Sequence, residues 1–260
     1  MTKITANTKI GQHFLKNEKL LSLVVEQIPY DSRVLEIGAG PGQLTEKLAQ
    51  RVTEVNAVEI DTQFMPVLEK LEKKYQNLNV IFENVLKLDF DEYKNCWIVG
   101  NLPYHIIEPL MNKLIRVPIA GAVFLVGETF ANLDKLGKLS LEVKTFFETK
   151  LLAKVSKDNF FPKPRTESAL LLFKPLSEDI YESDKKMFLM RQLFLTSGKG
   201  PLLKNVLMNS LVNFNHCTKN EARAMVAEYK LPEITLEKSF EQLNNEEYLV
   251  LYKALASESL

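Results

Sequence analysis

The sequence predicts an α/β fold, a largely parallel open sheet followed by a small all-helical C-terminal domain. Three observations carry this. From Arg33 to Val126, short β-branched runs alternate with longer segments of helical period. A Gly-rich turn, Gly38-Ala39-Gly40-Pro41-Gly42, separates the first such run from the first such segment. Beyond Pro175 only helical periods follow. Regular alternation of strand and helix implies βαβ crossovers, and so a parallel sheet.

In order, the candidate strands are Arg33–Ile37, Glu54–Glu59, Asn79–Phe82, Cys96–Val99 and Ala120–Val126. Between them Leu44–Arg51, Gln63–Lys74 and Glu108–Ile115 space apolar residues three and four apart opposite a charged face, as crossover helices do. Thr145–Val155 and Ser168–Phe173 read as a closing antiparallel pair of strands, joined through Phe160-Phe161-Pro162-Lys163-Pro164. Pro175-Leu176-Ser177-Glu178-Asp179 interrupts the strand pattern. After it Lys185–Leu195, Leu202–Val212, Lys219–Tyr229 and Glu246–Leu255 read as helices. This divides the chain into a sheet domain, residues 1–175, and a helical domain, residues 176–260.

With 46% hydrophobic and 25% charged residues among 260, the chain can bury a core, which excludes disordered and collagen-like classes. Formal net charge is zero, so a surface for a polyanion has to come from segregation of charge. Lys135 to Lys174 holds nine Lys/Arg against four acids, and Lys185 to Lys230 eight against two Glu. Leu231 to Leu260 reverses this, with two Lys against six Glu. The two cysteines, Cys96 and Cys217, form no CxxC and only three histidines occur, so neither a disulfide framework nor a metal site is expected. The apolar stretch Val117 to Gly127 is shorter than the roughly 20 residues that span a bilayer. The polar N-terminus does not resemble a secretory signal. A cytoplasmic protein without a membrane partner is the expectation, and nothing calls for an obligate oligomer, so a monomer is expected.

The spacing of Glu36-Ile37-Gly38-Ala39-Gly40-Pro41-Gly42 is GxGxG, with Gln43 where a dinucleotide fingerprint would have its third glycine. Glu59 ends the second strand, where a carboxylate can accept from both ribose hydroxyls. Together they point to a nucleoside cofactor without a pyrophosphate, S-adenosylmethionine. Asn101-Leu102-Pro103-Tyr104 follows the fourth strand, whose C-terminal end faces the ligand crevice of such a sheet. An exocyclic adenine amine is a poor nucleophile. Asn101 Oδ1 and a neighbouring carbonyl can accept its two N–H groups and stabilise charge developing on nitrogen, while Tyr104 stacks on the base.

Gly11-Gln12-His13-Phe14-Leu15, Glu36 to Gly42, Glu59, Asn101 to Tyr104 and Phe160 to Ala169, in that order, resemble the rRNA adenine N6,N6-dimethyltransferases, the family of the KsgA-type and Erm-type enzymes. The resemblance runs from about Lys9 to the C-terminus. It implies a class I, Rossmann-like methyltransferase sheet with S-adenosylmethionine as donor, a helical RNA-binding domain and adenosines of rRNA as acceptors. Carried over by position, Gln12, His13 and Leu15 close over the methionine end of the cofactor, and Gly38 and Gly40 lie beneath it. Glu59 holds the ribose, Asn84 falls where the cofactor's adenine amine is read, Ile60 and Val85 also bind the cofactor, and Phe160 covers the other face of the target base. Leu102 within Asn-Leu-Pro-Tyr, Arg191-Gln192-Leu193-Phe194 with Lys204, and Leu243 to Tyr248 resemble the housekeeping branch. Dimethylation of two adjacent adenosines near the 3′ end of small-subunit (16S-type) rRNA, with a role in subunit biogenesis, is therefore expected. The alternatives are an Erm-like 23S rRNA adenine methyltransferase and a non-catalytic rRNA-binding assembly factor. Asn84, His105 to Glu108, Val126 to Glu128 and Ser197 to Pro201 depart from the family pattern. The last removes an Arg-Arg-Lys cluster and leaves phosphate contacts to Lys199, Lys204 and others.

Overall fold

The computed structural model describes residues 12–132, 137–198 and 200–256. In chain order the elements are β1 (Phe14–Leu15), α1 (Glu18–Glu26), β2 (Arg33–Ile37), α2 (Gln43–Ala49), β3 (Glu54–Glu59), α3 (Met65–Lys74), β4 (Leu78–Phe82), β5 (Trp97–Asn101) and α4 (Tyr104–Leu114). They continue with β6 (Gly121–Gly127), α5 (Glu128–Ala131), α6 (Lys138–Phe146), β7 (Phe147–Val155), β8 (Phe160–Phe161) and β9 (Ser168–Pro175). The remainder is helical: α7 (Glu178–Ser183), α8 (Lys185–Thr196), α9 (Leu203–Asn215), α10 (Lys219–Glu228), α11 (Glu233–Leu236) and α12 (Asn245–Ala254). Two compact units result, one of residues 1–132 and 148–175, the other of residues 133–147 and 176–260.

Seven strands of the first unit form one sheet in the order β4-β3-β2-β5-β6-β9-β7. The pairs from β4 through β6 are parallel, and β9 runs antiparallel to β6. Buried on both faces, β2 reads as one apolar run broken only by Glu36. Trp97 pairs with Gly121, whose lack of a Cβ makes room for the indole: a Cβ there would come within 2.8 Å of the ring. Strand order reverses between β2 and β5, and at such a switch point the C-terminal strand ends open a crevice. Gly42 caps α2 at φ +83°, a conformation that favours glycine, and a Cβ there would press on the side chain of Leu71.

The elements depart from the sequence expectation in several places: α1, α5, α6, α7 and α11 have no counterpart in it, and α4 starts at Tyr104 rather than Glu108. The segment read as a strand from Thr145 is helical through Phe146, the end of α6, and β7 starts at Phe147. Thr145 bonds its hydroxyl back to the Leu141 carbonyl (2.7 Å), which keeps a β-branched residue in the last helical turn. The Pro-rich stretch does more than connect strands: β8 pairs antiparallel with β1 in a two-stranded ribbon, Phe14 opposite Phe161 and Leu15 opposite Phe160.

The helical unit packs around a chain of edge-on aromatic rings, Phe146 to Phe194 (6.1 Å), Phe194 to Phe240 (4.9 Å) and Phe240 to Tyr248 (5.0 Å). Buried Tyr181 and Tyr248 donate their hydroxyls to the carbonyls of Thr145 and Phe240. Capping boxes at Thr218 and Asn244 start α10 and α12.

Candidate active site

The ends of β2, β3, β4 and β5, together with the segment that leads into β1, enclose a cavity of about 480 Å³. Gly38, Glu59, Asn84 and Asn101, four positions singled out in the sequence, line it together with Gln12, His13, Gly40, Ile60 and Val85. Gly38 adopts φ +77° and a Cβ on it would meet nothing within 4 Å, so the chain turns here beside open space. Its N–H and that of Ala39 bond to Val58 O (2.8 and 3.2 Å), which ties the turn to β3.

Glu59 is buried and receives three backbone donors. Gly40 N reaches Oε2 at 2.7 Å, and Ile60 N and Asp61 N reach Oε1 at 2.9 and 2.8 Å. Burial pushes its carboxyl up from the usual range, opposed by those donors. A carboxylate offers about four acceptor positions, and three are taken. At least one position remains for a ribose hydroxyl.

At the end of β5, Asn101 Nδ2 donates to the His13 carbonyl at 2.6 Å. This bond assigns the amide and leaves Oδ1 to accept. Leu102 is buried and its N–H bonds Leu125 O (3.0 Å), which fixes the backbone here, while the Pro103 carbonyl already accepts from Ile106 N (3.2 Å). The neighbouring carbonyls that could share an amine with Asn101 are those of Leu102 and Pro103, and Pro103 lines the cavity. Tyr104 opens α4, and the stacking expected of it falls on a side chain outside the described ones.

The N-terminal segment is anchored at three further points. Gln12 Nε2 donates to Asp61 Oδ2 (2.7 Å), His13 Nδ1 to the Pro162 carbonyl (2.7 Å), and Lys16 N to Asn159 O (2.8 Å). Asp61 had no part in the sequence expectation, although it stands two residues after Glu59. Burial alone would raise its carboxyl, but donors from Gln12 and Gln63 hold it below the ordinary value. Asn84 accepts from Leu86 N through Oδ1 (2.9 Å) and keeps a second lone pair there.

Leu15 and Phe160 do not line the large cavity. They face each other across the ribbon and pack into the core, Phe160 only 5% exposed. Alternation along β8 turns the neighbouring Phe161 outward, 57% exposed. Leu15 instead helps line a second, smaller cavity of about 60 Å³, together with Gly38, Asn101 and Glu36. Glu36, quoted in the Gly-rich motif without a role, is fully buried there. Its Oε2 has no hydrogen-bond partner, and burial pushes its carboxyl up to about 7, offset in part by the Thr45 hydroxyl.

Among the described residues no group of three or more His, Cys, Asp or Glu is placed to hold a metal ion, and no helix is long and apolar enough to cross a membrane.

Residues 3–254 match the family model described as "Ribosomal RNA adenine dimethylase". The chain is 30% identical to the ribosomal RNA small subunit methyltransferase A of Bacillus licheniformis, covering 93% of this chain and 88% of that one. It is 29% identical to the protein of the same name from Clostridium botulinum strain Langeland, over 80% of each. A crystal structure of a dimethyladenosine transferase from Plasmodium falciparum is similar at TM-score 0.62 and 27% identity, over 92% of this chain and 96% of that one. The 23S rRNA methyltransferase ErmE shares the fold at TM-score 0.58 and 21% identity, over 94% of this chain and 100% of that one.

Proposed function

The chain belongs to the ribosomal RNA adenine dimethylase family and is an rRNA adenine dimethyltransferase, and from that premise we propose that it uses the Asn101 amide to dimethylate adenosines of small-subunit rRNA. The single observation that supports this use of Asn101 is its hydrogen bond to the His13 carbonyl on the cavity wall, which commits Nδ2 and leaves Oδ1 to accept.

S-Adenosylmethionine, when bound, would supply an electrophilic methyl group whose bond to the sulfonium sulfur breaks on transfer, so that the donor leaves as a neutral thioether. The residues present fit it: open space beside Gly38, one free acceptor position on Glu59, and Ile60, 59% exposed at the cavity edge, for the flat face of a base. Asn84 can accept from an adenine amine through the second lone pair of Oδ1. Gln12 and His13 close the amino-acid end.

On the acceptor side, Asn101 Oδ1 and the carbonyl of Leu102 or Pro103 take the two N–H groups of the target amine. This turns the nitrogen lone pair toward the methyl group and stabilises the positive charge that develops as the new C–N bond forms. The proton is then lost to water, for which no side-chain base is required. A second methylation replaces one N–H by a methyl, so one of the two acceptors loses its donor in the second round. The helical unit, with eight Lys/Arg between Lys185 and Lys230, we assign to RNA binding. A monomer in the cytoplasm suits an enzyme whose substrate is ribosomal RNA.

Asn101→Ala tests this. Removal of one preorganised acceptor should lower kcat by about 100-fold or more, with cofactor affinity by calorimetry within a few-fold of wild type. Transfer retained at wild-type rate would remove Asn101 from the chemistry.

A further inference from the structure

Of the two adjacent phenylalanines in β8, one is core and the other stands mostly in water. Phe160 faces inward, whereas Phe161 leaves 57% of its surface in water. Directly opposed residues of an antiparallel pair share a face, so Phe161 stands on the face of Phe14, which lines the large cavity. Lys16, two residues beyond Phe14 and hence on the same face, sets its ammonium 4.2 Å from the Phe161 ring centroid. The next residue, Pro162, is held by its carbonyl to His13 Nδ1, and His13 passes its own carbonyl to Asn101. An exposed aromatic ring topped by a cation is thus fixed by two hydrogen bonds in series to the amide that holds the target base.

We propose that Phe161 and Lys16 form a stacking platform for the nucleotide next to the methylated adenosine, with the ring against its base and the ammonium near its phosphate. This rests on the reading of the cavity as an rRNA adenosine site. A base cannot reach Asn101 from within a stack, so it leaves its neighbour with an uncovered face, and single-stranded RNA is held by stacking such faces on aromatic side chains beside cations. The charge fits a polyanion: Lys135 to Lys174, which contains the ribbon's second strand, carries a net +5.

The test compares wild type, Phe161→Ala and Phe161→Trp on a stem–loop RNA with two adjacent adenosines. A matched set carries an abasic residue at each position flanking the methylated adenosine. On the intact RNA, Phe161→Ala should raise KM about 10-fold with kcat and cofactor affinity little changed, and Phe161→Trp should stay near wild type. On the RNA with the relevant flanking base removed, wild type should fall to the level of the alanine variant, and that variant should lose nothing more. Phe161→Ala equal to wild type on intact RNA, or the same loss on intact and abasic RNA, would overturn the platform. Wild-type protein that methylates neither the stem–loop nor unmethylated small subunits would overturn the rRNA reading itself.

Discussion

Glu36, buried beside the smaller cavity, makes the stability of the fold depend on pH. Its carboxyl sits near 7 in the folded protein because burial disfavours the charged form. In an unfolded chain it would ionise near the ordinary value of 4.5. Between those values the folded state binds the extra proton, so stability falls as pH rises through that window, by on the order of 3 kcal/mol in all. Glu36→Gln removes this dependence. Urea unfolding of the cofactor-free protein should show the glutamine variant gaining on wild type from pH 5 to pH 7.5; a gap that does not change with pH would contradict the burial argument. At this scale much was legible. Gly38, Glu59, Asn84 and Asn101 carry their chemistry in residue type and position, and they meet at one cavity. What orients them was not, because backbone groups do it: the His13 carbonyl for Asn101, and the amides of Gly40, Ile60 and Asp61 for Glu59.

The ribbon and α1 make the clearest case among the elements. Two-residue strands such as β1 and β8 have no periodicity to detect, and they exist through long-range partners. The helix α1 did leave a trace, an Asn17 cap ahead of Leu21, Val24 and Val25, which the sequence expectation passed over. Asn17 serves both elements: Oδ1 caps α1 at Lys19 N and Leu20 N, and Nδ2 bonds Asn159 Oδ1 at 2.7 Å beside β8. Asn17→Ala should therefore cost about 1–2 kcal/mol. It would appear as a lower urea midpoint at unchanged slope, together with reduced methyl transfer, because the ribbon carries the carbonyl that holds Asn101. A variant of unaltered midpoint would show that the cap and the tie contribute nothing. The strands of the parallel sheet were the most legible elements, since the buried central ones β5 and β6 are near-continuous apolar runs. The end of α6 was the least, because Thr145, Phe146 and Phe147 are strand-forming residues and the helix there rests on burial of Leu141, Val143 and Phe146.

Across the whole molecule, a net charge of zero conceals basic and acidic stretches that the fold partly pairs off. Arg191 contacts Glu178, Lys204 contacts Glu237, and Lys238 meets Glu247 at 2.6 Å. Lys204, expected from sequence to meet phosphate, is thus engaged with a carboxylate, while Lys199 lies outside the described residues. The Lys204–Glu237 pair is exposed on both sides and contributes little to stability, so it can yield to an RNA phosphate without harm to the fold. The direct test of the account is methyl transfer from labelled S-adenosylmethionine to unmethylated small subunits, large-subunit rRNA and duplex DNA in parallel, read by nucleoside mass spectrometry. N6,N6-Dimethyladenosine is expected in the small-subunit sample alone, whereas label confined to large-subunit rRNA or DNA, or none in any sample despite bound cofactor, would contradict the assignment.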